Sequence, residues 1–463
     1  MSLVTVDYGN MLAPNLEGRG LDPDALQGEK ARTFRGVLEE VDERRASGEM
    51  GFFELPEARE AARAVQQLAD GFGQWFENVV ILGIGGSALG TTTIRDALLG
   101  PSWNELGGEE REHYPRLYVL DNVDPRTVGE LLGRLDLART LFNVVSKSGS
   151  TAETMAQYLV VEGLLHDALG EESARGHLLF TTDPRQGTLR TIAEEEGIPA
   201  LEVPPNVGGR FSVLSSVGLL PAAVVGVEIQ ELLAGARDMG ERCRRESLAE
   251  NPAGLLATLL HHWDTEQGAP IHVLMPYSNR LRSFAAWFQQ LWAESLGKAR
   301  DREGNTVNVG PTPLPALGAT DQHSLLQLLM EGPRDKVVLF MGVEEVQDPV
   351  AIPSIRTEHP ALSYLGGHSL AELLETERQA TMEALRQEGR PNLSIQVRDL
   401  TPRALGELFM LFEVATVFAG ALHGIDPLNQ PGVELGKRLT YGLLGREGFE
   451  KPSMGTASGS WRV

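Results

Sequence analysis

Two polar turns carry most of the chemistry this chain offers. Gly83-Ile84-Gly85-Gly86-Ser87-Ala88-Leu89-Gly90 follows the apolar run VVIL, and Ser146-Lys147-Ser148-Gly149-Ser150-Thr151-Ala152-Glu153 follows LFNVV. A chain that leaves a strand through glycines and hydroxyls and enters a helix aims N–H groups, hydroxyls and the helix dipole at one spot, which suits a phosphate. Each turn also has an ordinary reading. Gly83, Gly85 and Ala88 satisfy the G-x-G-x-x-A dinucleotide fingerprint. The acid that should bind a ribose is expected roughly 20 residues on, whereas Asp121 lies considerably further along. Ser150 to Glu153 form a capping box by sequence. Two such turns at the carboxyl ends of neighbouring strands favour a shared crevice, because open α/β sheets bind ligands there.

Other residues have catalytic types and bland alternatives. Glu294 lies in QQLWAESLGK, where Leu291, Trp292 and Leu296 make a largely apolar helix. Its carboxylate is therefore expected to be partly desolvated, although Lys298 is also placed for an exposed i,i+4 pair. Arg210 follows Gly208 and Gly209, which permit close approach of backbone to a ligand as readily as they make a simple turn. His323 in DQHS and Lys437, three residues after Glu434, read alone as a hydrogen-bonded histidine and an exposed helix lysine. His261 and His262 are adjacent, hence on different helix faces, and make a poor metal pair. Cys243 is the one cysteine, so no intramolecular disulfide forms.

These residues need strands and helices to converge. Residues 20 to 72 are acid- and arginine-rich with apolar residues at three- and four-residue spacings, which predicts helices. Short apolar runs then recur at 79–83, 117–121, 141–146 and 177–182, and again at 271–275, 336–341 and 392–397, with helical stretches between. Such alternation predicts an α/β fold of two doubly wound parallel sheets with helical N- and C-terminal extensions. The expected divisions are a helical extension at 1–72, a first α/β domain at 73–220, a helical bridge at 221–265, a second α/β domain at 266–420 and a C-terminal segment at 421–463. In that last segment a long apolar helix and a turn with Asp426 and Pro427 precede a fresh helix opened near Pro431, placed to fold back over a site.

Composition narrows the partners. The chain has 463 residues, 41 lysines and arginines against 64 acids, and a net charge of -23. Nucleic acid and anionic membranes are poor partners for such a surface, and a phosphate must be held by backbone N–H groups and local cations against the overall field. No run of about 18 apolar residues is expected to span a bilayer, and MSLVTVDYGNML has no basic leader with an apolar core, which predicts a cytoplasmic protein.

GIGGSALG followed by SKSGSTAET resembles the sugar isomerase (SIS) domain, of flavodoxin-like architecture. GGRFS (208–212), QQLWAESLGK (289–298), DQHS (321–324) and NQPGVELGK (429–437) extend the resemblance, in order, to the phosphoglucose isomerase family. The resemblance implies a cofactor- and metal-free aldose–ketose isomerase acting on a sugar phosphate as a homodimer. It implies that Gly86, Ser87, Ser146, Lys147, Ser148 and Thr151 hold the phosphate and that Gln290 and Gln430 lie near the sugar. Glu294 would be the base that moves a proton between C1 and C2, and Arg210 would steady the enediolate. His323, donated across the dimer interface, and Lys437 would open the ring. A dual glucose and mannose phosphate isomerase, or a non-catalytic sugar-phosphate regulator, are the alternatives this resemblance leaves.

Overall fold

The computed structural model describes residues 2–72 and 75–453; the end of the expected C-terminal segment, 454–463, lies outside them. In chain order the strands are β1 (Val4–Asp7), β2 (Asn78–Leu82), β3 (Arg116–Leu120), β4 (Thr140–Val145), β5 (Leu178–Thr182) and β6 (Ala200–Glu202). They continue with β7 (Ile271–Pro276), β8 (Lys298–Arg300), β9 (Thr306–Val309), β10 (Thr312–Pro315), β11 (Lys336–Val343) and β12 (Asn392–Val397).

The first sheet has the order β3-β2-β4-β5-β6 and is parallel throughout. Helices cover both faces, so β2, β4 and β5 are buried at every residue and read as unbroken apolar runs without alternation. The chain goes from β2 to β3 on one side and then to β4 on the other. The connections after β2 and β4 therefore diverge and open a crevice at their carboxyl ends. The second sheet, β1-β12-β11-β7-β10, repeats this arrangement with β10 and β11 flanking β7.

Its edge differs from expectation. Val4–Asp7 pairs antiparallel with β12, Val4 opposite Val397, so the N-terminal extension begins as a strand of the second sheet before its helices start. Four residues amid acids and turns give too short an apolar pattern for sequence periodicity to register. The predicted continuous helical bridge is likewise broken into Ser216–Val224, Ile229–Arg242 and Pro252–Thr265, with Gly226 in the left-handed region at the first break. The short β6, β8, β9 and β10 had no recognisable sequence signal.

Helix Pro402–Leu422 is long and apolar enough by length and composition to cross a membrane, which corrects the expectation that no such run exists. It is buried against helices Ile229–Arg242, Pro252–Thr265 and Arg282–Leu296, so its apolar surface belongs to the core.

Candidate active site

Helix Arg282–Leu296 enters the site from the end of β7. Its buried face carries Phe284, Trp287, Phe288, Leu291, Trp292 and Leu296, and burial contributes roughly 1.5–3 kcal/mol for each large apolar side chain. That face fixes the helix rotation. Gln290 and Glu294, one turn apart, are left on its partly exposed edge, where Gln290 Nε2 donates to Glu294 Oε2 at 3.2 Å.

Lys298 does not pair with the Glu294 carboxylate. Its ammonium is buried and donates to the carbonyls of Glu294 and Ser295 at 2.9 and 2.7 Å, satisfying the orphan acceptors of the helix end. Burial pulls the Lys298 pKa down to about 8. The i,i+4 reading of this pair fails because the lysine follows the helix axis to its carbonyl end.

Arg210 is buried on the turn Gly209–Phe211. Its Nε donates to Ser295 Oγ at 2.6 Å, Nη2 to the carbonyls of Pro427 and Asn429 at 2.6 and 3.1 Å, and Nη1 to Gln430 Oε1 at 2.9 Å. Burial lowers its pKa, opposed by Glu294 and Asp426. Ser295 and the 427–429 carbonyls, which sequence reasoning missed, thus immobilise the guanidinium. Their only sequence signal was proximity to the ESLGK and NQPG stretches. Asp426 is paired in turn with Arg44 at 3.0 Å.

The first polar turn, Gly85–Ser87, packs on this arginine. A methyl group at Gly86 would lie 2.2 Å from the Gly209 carbonyl, and one at Gly85, where φ is +57°, would lie 2.8 Å from Gln290 Nε2. Glycine here is required by close approach of backbone to backbone. The Gln290 Oε1 atom is buried without a partner among the described residues, an acceptor left for a donor from outside the chain.

The second turn departs from a helix cap. Thr151 is the N-cap of helix Ala152–Leu169 and makes no side-chain capping bond. The hydroxyls instead meet one another: Ser146 and Thr151 oxygens at 3.1 Å, Ser148 and Thr151 at 3.4 Å. The first-turn N–H groups of the helix stay uncapped by these side chains, which is the arrangement that receives an anion. Lys147 turns elsewhere, donating to the carbonyls of Pro205 and Val207 at 2.6 and 2.9 Å. Burial lowers its pKa, with Asp183 opposing. It ties the second turn to the segment that leads into Arg210.

The structure therefore brings together Gly86, Ser87, Arg210, Gln290, Glu294 and Gln430, and separately clusters Ser146, Ser148 and Thr151 on the adjacent strand end. It does not bring in His323 or Lys437. His323 is exposed on the turn Thr320–His323, and Lys437 is half exposed on helix Glu434–Leu443, bound to Glu434 at 2.8 Å. His261 stacks edgewise on His423 while His262 faces Glu266 at 3.0 Å. Among the described residues no group of three or more His, Cys, Asp or Glu is placed to hold a metal.

With this geometry in place, a family model described as phosphoglucose isomerase matches residues 60–447. The chain belongs to the phosphoglucose isomerase family. This family member is 45% identical over 447 residues to the glucose-6-phosphate isomerase of Carboxydothermus hydrogenoformans, covering 96% of each chain. It is 44% identical to that of Rubrobacter xylanophilus, covering 97% of this chain and 100% of the relative. Among solved structures, a Thermus thermophilus protein described as hypothetical superposes with a TM-score of 0.83 at 40% identity, over 96% of this chain and 100% of that one. A glucose-6-phosphate isomerase from Chlamydia trachomatis gives 0.73 at 27% identity, over 84% and 73%. The isomerase fold of two parallel-sheet units is thus shared with both.

Proposed function

We propose that this chain interconverts glucose 6-phosphate and fructose 6-phosphate, with Glu294 as the base between C1 and C2. The observation that carries the reading is the Glu294 carboxylate, 26% exposed, standing 3.9 Å from the fixed Arg210 guanidinium. A carboxylate at a carbon edge takes and returns the proton, and an immobilised cation stabilises the enediolate oxygens without reorganising. The uncapped hydroxyl turn supports Ser146, Ser148 and Thr151 as the phosphate corner, with Gly86 and Ser87 on its other side. Lys147 joins it through its hold on the 205–207 carbonyls. The orphan Gln290 oxygen accepts a sugar hydroxyl, and Gln430 lies beside it.

Ring opening needs a group to protonate the ring oxygen and another to deprotonate the C1 hydroxyl. We assign these to His323, supplied by a second copy in a homodimer, and to Lys437. Exposure of His323 supports donation to another chain. Helix Glu434–Leu443 exposes Leu435, Leu439 and Leu443 on successive turns, an apolar ridge that supports closure of this helix over the site or a partner. The divisions at 73–220 and 266–420 serve as the phosphate-binding and base-bearing units. The buried lone thiol of Cys243 is in keeping with a reducing cytoplasm.

The deciding experiment is a coupled assay converting fructose 6-phosphate to glucose 6-phosphate without added metal or nucleotide. Turnover supports the reading, and its absence in folded protein overturns it. Donation across the dimer is tested by mixing Glu294→Ala and His323→Ala chains, each inactive alone. Regained activity supports it, and a mixture as inactive as its parts rejects it.

A further inference from the structure

A cavity of about 900 Å³ lies at the amino ends of β2, β3 and β4. The phosphate turns sit at the carboxyl ends of β2 and β4, so the two are separated by the length of a five-residue strand, about 17 Å. Three guanidiniums line this cavity: Arg139, which is paired with Glu77, Arg111 from the loop after Gly108, and Arg116 at the start of β3.

Arg111 is only 5% exposed. Its Nε donates to the Tyr114 carbonyl at 3.1 Å and its Nη1 to the Leu106 carbonyl. Arg116 donates through Nε to the Asn104 carbonyl at 3.0 Å. Arg111 therefore spends Nε and Nη1, one nitrogen from each edge of its fork, on neutral carbonyls, whereas Arg116 spends Nε alone and keeps its Nη1–Nη2 edge. Among the described residues, Arg111 Nη2 and both Arg116 Nη groups have no protein partner, and no ion pair reaches either residue. Burial and the neighbouring Arg116 both lower the Arg111 pKa, opposed by Tyr118, Glu77 and Glu110.

The carboxylates around this cavity act on Arg111 only at a distance, Glu77 and Glu110 opposing the fall in its pKa, and among the described residues none closes an ion pair with either arginine. Glu77 is exposed and paired with Arg139 at 2.8 Å, and Asp70 is exposed and takes the Gln66 amide at 2.8 Å. Glu112 and Glu228 are exposed at the rim. Glu112 and His113, immediately after Arg111, sit at φ +52° and +65°, a conformation that costs a side-chain-bearing residue energy and clusters at ligand sites. In a chain with 64 acids against 41 bases, a buried guanidinium normally finds a carboxylate.

We propose that this cavity is a second anion site, distinct from the isomerase crevice, which takes a small oxyanion between Arg111 Nη2 and the free Nη1–Nη2 edge of Arg116. The chemistry recognised is a planar or tetrahedral oxygen pair, carboxylate or phosphate, held by the guanidinium fork of Arg116 and the remaining N–H donors of Arg111. Its source is left to the experiment.

The test is calorimetric titration of the full chain with citrate and, separately, with pyrophosphate, with no sugar phosphate present to compete, the heat lost in Arg116→Gln being the cavity's own. One anion binds per chain, and affinity falls about tenfold or more in Arg116→Gln, the loss of at least one charge-assisted contact. Arg111→Lys, which keeps charge and loses the Nη2 donor, weakens binding in the same direction. If Arg111→Lys does not fold, the part-exposed Arg116→Gln decides. Binding of citrate alone assigns a carboxylate ligand, and binding of pyrophosphate alone a phosphate. The proposal is overturned if neither anion binds or if Arg116→Gln binds as tightly as wild type.

Discussion

Arg210 Nη1 stands 3.9 Å from Glu294 Oε2 while its other donors are taken up by Ser295, Pro427, Asn429 and Gln430. The cation is therefore close enough to act on charge that develops beside the carboxylate. It is too well held elsewhere to close a bidentate pair and take the carboxylate out of use.

Glu294→Gln keeps the shape and the Gln290 contact but removes the base. We expect kcat to fall by about 10²–10⁴, the range for lost general base catalysis, with KM within a few-fold. Steady-state isomerase kinetics check this. A kcat within about tenfold of wild type would remove the base from Glu294.

Arg210→Lys keeps one positive charge but cannot satisfy acceptors on three sides. The expected loss in kcat is about 10²-fold or more, comparable to removing one oxyanion donor, with a lower Tm because Ser295 Oγ and two carbonyls lose their donor. Kinetics and thermal melts on the same preparation separate the two effects. An unchanged kcat in a destabilised protein would make Arg210 purely structural.

Gly86→Ala puts a methyl group 2.2 Å from the Gly209 carbonyl and 2.7 Å from the Arg210 N–H nitrogen. Neither backbone atom can yield readily, so the turn moves, at a cost of about 1–3 kcal/mol in stability. Affinity for the sugar phosphate should drop more than in Glu294→Gln. Measuring KM for both variants, with fructose 6-phosphate as substrate, tests the ordering.

Glu413 is wholly buried in helix Pro402–Leu422, and neither carboxylate oxygen has a partner among the described residues. Burial holds its pKa well above the usual carboxylate value. The folded state then binds a proton that the unfolded chain releases above its ordinary pKa. This group's stabilising share is full below that pKa and is lost as pH rises toward the folded value, by up to about 1.4 kcal/mol per pH unit. In Glu413→Gln the slope of stability against pH between about 4.5 and 7 should be shallower than in wild type, by urea melts across that range. Parallel slopes would place the proton elsewhere.

Much of the fold was legible because its signals are local. Strands buried on both faces appear as apolar runs, and seven of these, from VVILG to NLSIQV, coincide with β2 to β5, β7, β11 and β12 within a residue or two. Val4–Asp7 was not legible, because its place is set by a partner strand almost 400 residues away, Val4 facing Val397. The hydroxyl turn was visible as chemistry, yet its sequence fitted a capping box equally well. Only the uncapped Thr151 and the mutual contacts of Ser146, Ser148 and Thr151 separate the two readings.

The sequence by itself determined which residue types stand at strand ends and helix edges, since apolar periodicity fixes which face of QQLWAESLGK is buried and leaves Glu294 on its rim. Only the tertiary structure decided where the cations go. Lys298 caps carbonyls where the spacing suggested a partner for Glu294, Lys147 reaches Pro205 and Val207, and Arg210 is gripped by a turn 217 residues on. A long flexible cation finds its acceptor in three dimensions, and carbonyl groups that need a donor leave no mark in the order of amino acids.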